Sequence, residues 1–410
     1  MRPTLRRLLP DAFITFGLFA LPLIVFWQVT LGGKTLLPAD NLYQYPPWTA
    51  YRAQLGVPDV PHNALLSDLV LENLEWKTFT RQAIASRELP LWNPYLFAGT
   101  PFLAEGQHSA LYPFSLIYYI LPLDRAYGWF TVSQLWLAGL LMYLFMRGLG
   151  TRRIGALCAA IAYELSAFFL ASVVFQMIIA AAAWLPFLLL MIEFIIRRRS
   201  LFGRSAVIPW IALGSIGLGM CILAGHVEIL YYSLLVMGFW AVCRLIGPLR
   251  AALKNRAAFG PLAKTALALL SLVVIGLGVG AIQFVPLYEL AGQNFRAGSV
   301  SFDTVRSYAY PPRHALEFLI PNLYGSPAQH DYFDLFGGGQ KPFQWQRSDN
   351  QTVTDTYWEV NKNYVEGACY VGLLTLILAA IALFDALRNK RNPFRGITAV
   401  LASLSVISLA

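Results

Sequence analysis

Long apolar runs alternate with short clusters of basic residues along most of the chain. A helix needs roughly 20 consecutive apolar residues to cross the hydrocarbon core of a bilayer. By that measure the pattern predicts about nine transmembrane helices, over residues 11–31, 127–149, 153–173, 175–196, 205–225, 227–247, 263–290, 364–387 and 394–410. The chain is therefore predicted to be an all-α polytopic membrane protein.

The basic clusters fall in every second connection between the predicted helices, for example at residues 147–153, 197–204 and 388–395. Lys and Arg are enriched in the cytoplasmic loops of membrane proteins. The N-terminus is therefore predicted to be cytoplasmic, in a multi-pass protein of the inner or plasma membrane. No small-residue cleavage site follows the first apolar run, which is predicted to be an anchor and not a cleaved signal peptide.

Two connections on the opposite, extracytoplasmic side are long, at residues 32–126 and 291–363. Both are rich in Trp, Tyr, Pro, Asn and Gln, and ordered loops of this length usually carry function. We expect them to fold as short helices and turns on the outer face. Residues 68–88 are predicted to form an amphipathic helix on the membrane surface. The whole chain, residues 1–410, is predicted to be one transmembrane module that carries these two loops.

The composition agrees with a membrane protein. Charged residues make up 13% of the chain and hydrophobic residues 57%, whereas a soluble domain carries roughly 25% charged residues. The net charge of +9 could suit a nucleic-acid-binding protein, but the basic residues lie where membrane topology requires them. No nucleic acid is expected as a partner. None of the four cysteines forms a Cys-x-x-Cys pair, so neither a disulfide framework nor a structural zinc site is predicted.

Two aspartates of the first long loop are candidates for chemistry. Asp40, in LPADNLYQYPPW, lies closest to the end of the first predicted helix, and Asp68 begins the predicted amphipathic helix. A carboxyl group that is partly desolvated at the bilayer surface has a raised pKa, which suits a general base, and it can also bind a metal ion. The alternatives are a solvated loop acid or a helix N-cap, and the spacing alone leaves them open.

Polar and aromatic residues of the same loop could bind a ligand. In LPLWNPYLFAGTPF, Trp92 and Tyr95 can stack on a sugar ring or lie in the aromatic belt of the membrane interface. Asn93 and Gln107 can bind hydroxyl groups, although Asn before Pro is also an ordinary turn former.

Ionisable residues near the ends of predicted helices form a further group. His226 and Glu228, in LAGHVEILYY, could hold a metal or a phosphate, or could form a structural hydrogen-bonded pair. Arg313 of the second long loop could bind a lipid phosphate, and its alternative is a solvated charge. Glu366 and Tyr370 are four residues apart at the start of the eighth predicted helix, so they share one face.

These stretches, in their order along the chain, resemble the YfhO-type bacterial membrane proteins, a branch of the GT-C glycosyltransferase superfamily. The resemblance covers about residues 30–380, and LPLWNPYLFAGTPF is its most specific element. The other stretches that carry it are LPADNLYQYPPW, NALLSDLVLENLEWKTF, AYELSAFF, AAWLPFLLL, LAGHVEILYY and NYVEGACYVGLLTLILA.

The resemblance implies a GT-C-like fold and an enzyme that takes a sugar from a polyprenyl-phosphate carrier on the extracytoplasmic face. It also implies an essential acid in the first outer loop, a position that Asp40 matches best and Asp68 next best. Some GT-C branches use a divalent metal such as Mg or Mn and others do not, so the resemblance leaves the cofactor open.

The sequence thus predicts lipid-linked glycosyl transfer to an envelope glycan, lipid or protein acceptor. In this hypothesis Asp40 deprotonates or orients the acceptor hydroxyl. A cation of the second long loop, or His226, stabilises the leaving phosphate. Trp48, Trp92 and Tyr95 shape the sugar and acceptor site.

Two rival functions remain open at this point. A transporter or flippase would use intramembrane charges such as Glu164, which has no evident partner in the sequence. By contrast, Glu193 is predicted to form an ion pair with Arg197, one helical turn later. The second rival is a non-catalytic subunit of an envelope-polymer assembly system.

Overall fold

Helices build most of the molecule. The structure, a computed structural model, describes residues 2–58, 66–293, 298, 300–307, 309–326, 331–334, 337–342, 344–346, 352–354 and 364–409. Up to the end of the first long loop the helices are α1 (Arg2–Val25), α2 (Trp27–Thr30), α3 (Arg52–Leu55), α4 (Leu74–Ala85), α5 (Phe102–Glu105) and α6 (Leu116–Ile120). A π-helical turn, Leu69–Asn73, leads directly into α4.

The helical bundle and the C-terminal part follow. The bundle contains α7 (Leu123–Leu149), α8 (Arg153–Glu164), α9 (Ala167–Ala171), α10 (Gln176–Ala182), α11 (Leu185–Ile196), α12 (Ile208–Leu223), α13 (Val227–Lys254), α14 (Phe259–Val279) and α15 (Ala281–Ala291). The C-terminal part contains α16 (Phe302–Ser307), α17 (Tyr364–Gly367), α18 (Leu373–Arg388) and α19 (Arg395–Leu409). Short 3-10 helices lie at Ala39–Gln44, Trp48–Tyr51, Pro113–Ser115, Ser172–Val174, Arg256–Ala258 and Pro312–Phe318.

The described residues also contain three small antiparallel ribbons, which the all-α prediction did not include. Their strands are β1 (Ser200–Leu201) with β2 (Arg204–Ser205), β3 (Asp331–Phe333) with β4 (Gln340–Pro342), and β5 (Gln344–Gln346) with β6 (Thr352–Thr354). Two of the three lie in the second long loop. The fold therefore remains helical in its bundle, and its strands are confined to connections.

Five helices of the described part are long and apolar enough to cross a membrane. They are Leu123–Leu149, Arg153–Val174, Gln176–Ile196, Val227–Lys254 and Arg256–Val279. The first, fifth and ninth predicted helices coincide with the shorter apolar helices Leu9–Val25, Ile208–Leu223 and Arg395–Ser408. A polytopic membrane protein agrees with these helices, but the predicted count of nine spans is not confirmed.

Two of the predicted helices are interrupted in the structure, and the second interruption removes a predicted span. The predicted helix 263–290 divides at Gly280, where α14 ends and α15 begins. The predicted helix 364–387 divides into the four-residue α17 and α18, which follows Gly372 at a φ of +93°. A left-handed backbone at this φ is rarely adopted by other residues, so a helix cannot continue through it.

The centre of the bundle is packed around α7, which contacts α1, α8 and α11. Phe145 of α7 meets Trp240 of α13 edge to face, with ring centroids 5.6 Å apart. Close helix approach depends on small residues, as is common in membranes. A Cβ at Gly139 of α7, for example, would fall 1.8 Å from the Glu164 carboxylate.

Two carboxylates of the bundle are bound by several cationic or polar groups. Glu193 accepts from Arg244 at 2.5 and 3.1 Å and from Trp240 Nε1 at 3.0 Å, and it lies 2.7 Å from Arg197. The predicted pair between Glu193 and Arg197 is confirmed. Asp11 of α1 is held in the same way by Arg153 at 2.7 Å. These contacts join separate helices.

The first long loop is anchored to the bundle by the helix at residues 69–85. The predicted helix is present, but its buried face carries Asn73, Lys77 and Thr80. Tyr127 of α7 donates to Asn73 Oδ1 at 2.8 Å. The polar face of this helix packs into the protein, and its position on the membrane surface stays a prediction.

Candidate functional site

Two adjoining clefts open among the long loops. The smaller has a volume of about 370 Å³ and the larger about 1100 Å³. Glu72, Trp76 and Gln107 line both clefts. The two clefts therefore lie side by side, separated by these side chains.

The smaller cleft is formed where five segments of the chain meet. Asp68 and Glu72 come from the helix of the first loop, His226 precedes α13, and Glu366 lies on α17. Its apolar wall is formed by Leu69, Val174, Phe175, Met177, Ile178 and Val365. The π-helical turn at Leu69–Asn73 lies next to Asp68 and contains Glu72, and such turns are frequent at functional sites.

The larger cleft lies between α4, the stretch 93–107 and α15. The first-loop helix contributes Glu72, Glu75 and Phe79 to its lining, and α5 contributes Glu105. Leu287, Leu290 and Ala291 of α15 form its apolar side. The cleft therefore combines carboxylates on one side with aliphatic side chains on another.

A tight hairpin forms one rim of the larger cleft. Asn93 and Thr100 exchange backbone hydrogen bonds of 2.8 and 2.9 Å, and Asn93 Oδ1 accepts from the Tyr95 backbone at 3.0 Å. Gly99 has a φ of +119°, and a Cβ there would fall 2.6 Å from the Trp92 ring. Trp92 thus packs over the turn, while Tyr95 and Phe97 have 79% and 94% of their surface exposed at the rim of the cleft.

Two hydrogen bonds hold the stretch that carries Glu105 and Gln107 against the helical bundle. Gln283 donates from Nε2 to the Leu103 carbonyl at 2.6 Å, and Ser109 donates to the Ala224 carbonyl at 2.7 Å. Gly225 has a φ of +91°, and a Cβ there would lie 2.1 Å from the Gly106 carbonyl oxygen. Only glycine allows this approach, so the first loop and the turn before α13 are held together.

The carboxyl groups of the clefts have raised pKa values. Burial raises the pKa of Asp68. Burial and the neighbouring Asp68 raise the pKa of Glu72, and burial and Glu72 raise that of Glu105. Among the described residues, none that lines either cleft is Lys or Arg. Like charges and desolvation both disfavour the ionised form, which makes these groups candidates for proton transfer.

His226 faces the smaller cleft in a defined tautomer. Its Nδ1 accepts from the Ile229 backbone at 3.2 Å, which makes it the N-cap of α13. Burial lowers its pKa, against the effect of Glu228. The neutral ring must therefore carry its proton on Nε2, and it can donate a hydrogen bond to an oxygen atom in the cleft.

Lys77 and His108 form a buried pair within the first loop. Lys77 is 2% exposed, donates to the His108 carbonyl at 2.5 Å and lies 4.5 Å from the centroid of the Tyr118 ring. Burial lowers the pKa of Lys77 to about 7, and burial with the Lys77 charge lowers that of His108 to about 3. Neither residue was singled out in the sequence, because nothing in the helical pattern of residues 68–88 distinguishes a buried Lys from an exposed one.

The structure brings part of the predicted site together. Asp68, Gln107, His226 and Glu366 meet in the smaller cleft, and Asn93, Tyr95 and Gln107 line the larger one. The sequence analysis missed Glu72 and Glu105. The four-residue spacing from Asp68 to Glu72 was the signal that could have pointed to Glu72.

Other predicted site residues lie outside both clefts. Asp40 lies in the first turn of the 3-10 helix Ala39–Gln44, whose N-cap is Pro38, so it is not the cap. The 3-10 helix that contains Asp40 is joined to the start of the first-loop helix by Asn41, which donates to Ser67 Oγ at 3.3 Å. Trp48 is exposed in the next 3-10 helix.

The remaining predicted residues have local partners. Glu228 accepts from the Tyr232 hydroxyl at 2.9 Å, so the predicted pair with His226 gives way to a contact within α13. Arg313 lies over the Tyr324 ring, 5.5 Å from its centroid. The Tyr370 carbonyl accepts from the Ala167 backbone at 2.8 Å. Because α17 ends at Gly367, Glu366 lies on the helix and Tyr370 lies beyond it, and the two do not share one helix face.

In the described part of the chain, no group of three or more His, Cys, Asp or Glu side chains could hold a metal ion. No protein-family model, curated protein or solved structure matches the chain. The resemblance to the YfhO-type proteins therefore rests on the sequence stretches alone.

Proposed function

We propose that this protein is a membrane glycosyltransferase that moves a sugar from a polyprenyl-phosphate carrier to an envelope glycan, lipid or protein. The observation that supports this proposal best is the meeting of Asp68, Glu72 and His226 in one cleft beside an apolar wall. A proton acceptor, a hydrogen-bond donor and an apolar surface are what transfer from a lipid-linked donor needs. The predicted topology puts this cleft on the extracytoplasmic face.

The cleft carboxylates would act on the acceptor. Asp68 or Glu72 takes the proton of an acceptor hydroxyl as its oxygen bonds to the anomeric carbon of the sugar. The bond from that carbon to the phosphate oxygen breaks, and the carrier phosphate leaves with the electron pair. A raised pKa brings a carboxylate closer to the pKa expected of an efficient general base.

Charge on the leaving phosphate would be stabilised at the start of α13. The N-terminus of this 28-residue helix carries the positive end of the helix dipole, and His226 Nε2 supplies a hydrogen bond. Oriented donors of this kind stabilise negative charge that develops during a reaction. His226 would thus stabilise the leaving phosphate, a role for which the sequence offered either His226 or a cation of the second long loop such as Arg313.

The direct test is a transfer assay. The full chain in phosphatidylcholine nanodiscs is given polyprenyl-phosphate sugars and a cell-envelope acceptor extract, and the labelled product is counted. The proposal expects transfer by the wild type and strong loss in Asp68→Asn and Glu72→Gln. Glu88→Gln is the matched control, because Glu88 is an exposed acid of the same loop and does not line the clefts. Wild-type rates in both cleft variants would refute the site.

One observation favours transport as a second candidate. Glu164 is fully buried in a helix that is long enough to span the membrane, and neither of its carboxylate oxygens has a hydrogen-bond partner among the described residues. Intramembrane acids of this kind often lie on ion or substrate pathways. A flux of a lipid-linked sugar across liposomes that requires Glu164, without any covalent product, would establish this function in place of transfer.

A further inference from the structure

The larger cleft has a strong imbalance of charge. Glu72, Glu75 and Glu105 line it, and of its lining residues in the described chain none is Lys, Arg or His. The charges of Glu72 and Glu105 repel each other, and that of Asp68 adds to the repulsion on Glu72. A neutral or anionic occupant leaves this repulsion in place. A cationic occupant relieves it and gains complementary contacts.

Aromatic rings line the same cleft as the carboxylates. Trp76, Phe79, Tyr95 and Phe97 all contribute, and the rings of Phe79 and Tyr95 meet edge to face at a centroid distance of 6.2 Å. The face of an aromatic ring attracts an ammonium group, most strongly for Trp and Tyr. Rings and carboxylates together are a pattern that selects for an organic cation over a small hydrated one.

An apolar wall continues from the membrane-spanning part of the molecule into this cleft. Leu287, Leu290 and Ala291 of α15 form the wall. Helix α15 begins immediately after Arg256–Val279, which is long and apolar enough to cross a membrane. The half-buried Phe284 lies one turn before Leu287 on the same face of α15. An alkyl chain could therefore reach the cleft from the bilayer along this helix.

We propose that the larger cleft binds an amphiphile whose head group carries a protonated amine. The amine lies between Glu72 and Glu105 beside Trp76, and the alkyl chain follows α15. In one respect this inference rests on the proposed function: it identifies the bound amphiphile as the acceptor of the sugar. The binding itself does not require that any transfer occurs.

The experiment compares spin-labelled stearylamine, stearyl alcohol and stearyl phosphate in phosphatidylcholine nanodiscs that hold the full chain. Electron paramagnetic resonance separates immobilised label from free label. We expect the amine to associate at least about tenfold more strongly than the alcohol, the effect of one hydrogen bond to a charged group. In the double variant Glu72→Gln with Glu105→Gln, the amine should lose this advantage.

The matched control removes two exposed acids of the same loop, in Glu88→Gln with Asp124→Asn, and should keep the preference for the amine. Glu72→Asp, which retains the charge, should also keep it and guards against loss through misfolding. Phosphate association equal to or above that of the amine would overturn the inference, as would an amine preference that survives the loss of Glu72 and Glu105. Amine selectivity without any transfer would instead refute only the proposed function.

Discussion

Two groups of carboxylates in this protein have opposite surroundings. Glu193 and Asp11 lie in the bundle and are bound by arginines at 2.5 to 2.7 Å. Asp68, Glu72 and Glu105 line open clefts in which the neighbouring charges are other carboxylates. An acid that is paired with arginine joins helices. An acid that faces another acid costs stability and is retained for what it can bind or do.

The same difference appears in what surrounds each site. The Glu193 carboxylate is completely buried and receives hydrogen bonds from Arg244 and Trp240. Asp68 and Glu72 are exposed, but they face a cleft with an apolar wall. Pairing, more than burial, therefore separates a structural acid from a candidate catalytic one in this molecule.

The largest expected effect concerns the cleft acids. Because Asp68 and Glu72 serve one proton transfer in our proposal, replacing both should cost little more than the more harmful single replacement. We expect Asp68→Asn with Glu72→Gln to lower the transfer rate by about 10²–10⁴-fold. The unfolding temperature should stay at or above that of the wild type, because the replacements remove the repulsion between the two acids. Independent, multiplicative losses would show that the two acids have separate roles.

The next largest effect tests the paired acid. Glu193→Gln leaves Arg244 and Arg197 without their carboxylate, and breaking a buried ion pair costs about 3 kcal/mol. Scanning fluorimetry in detergent should show a lower unfolding temperature. The transfer rate per folded molecule should stay unchanged. Full activity loss with unchanged stability would break the distinction between the two regions.

Lys77 provides an intermediate case, a buried cation without a carboxylate partner in the hydrogen bonds described above. Its pKa is lowered to about 7 by burial. Its contribution to stability is therefore lost as pH falls through about 7 and rises as pH increases toward the unfolded value near 10. Lys77→Met should remove this pH dependence of the unfolding temperature. Arg81→Met, also in α4, is the control and should retain it.

The cleft acids should give a pH dependence of stability with the opposite sign. The raised pKa values of Glu72 and Glu105 favour the protonated folded state, so their contribution to stability is lost as pH rises through those values. Lowering the pH from neutral should therefore raise the unfolding temperature and reduce transfer at the same time. In Glu72→Gln with Glu105→Gln, the rise in stability should be smaller. Parallel loss of stability and activity would contradict this.

The smallest expected effect concerns Asp40, which the sequence favoured as the catalytic acid. Asp40 lines neither cleft, so we expect Asp40→Asn to change the transfer rate by less than about threefold, well under 1 kcal/mol in the barrier. The same assay with Asp68→Asn is the direct comparison. A loss for Asp40→Asn as large as that for Asp68→Asn would restore the role that the sequence gave it.

Long, strongly periodic segments were predicted well. Residues 127–149, 175–196 and 227–247 all fall in helices long enough to span a membrane, because uninterrupted apolar runs leave few alternatives. Two helix boundaries differ from the prediction, at Gly280, where α14 ends, and at Gly372, after which α18 begins. Hydropathy alone would continue a helix through both glycines, but the backbone conformation does not allow it. The pair between Glu193 and Arg197 was also correct, since it depends only on helical spacing.

The candidate site was predicted in part. Asp68, His226 and Glu366 were named from their sequence context, and the structure brings them into one cleft. Glu72 was overlooked because an acid on a helix is usually a solvated one. Its significance depends on α17 and the turn before α13, which lie far away in the sequence and approach only in the folded chain.

The sequence by itself determined the class of the molecule and the position of its long loops along the chain, because apolar length is a local property that a bilayer selects directly. The tertiary structure alone decided which acids are paired and which face each other. That outcome depends on contacts such as the one between Gly106 and Gly225, where two loops meet at a distance only glycine permits. The chemistry of a carboxylate is set by its neighbours in space, and these neighbours come from segments that no local pattern connects.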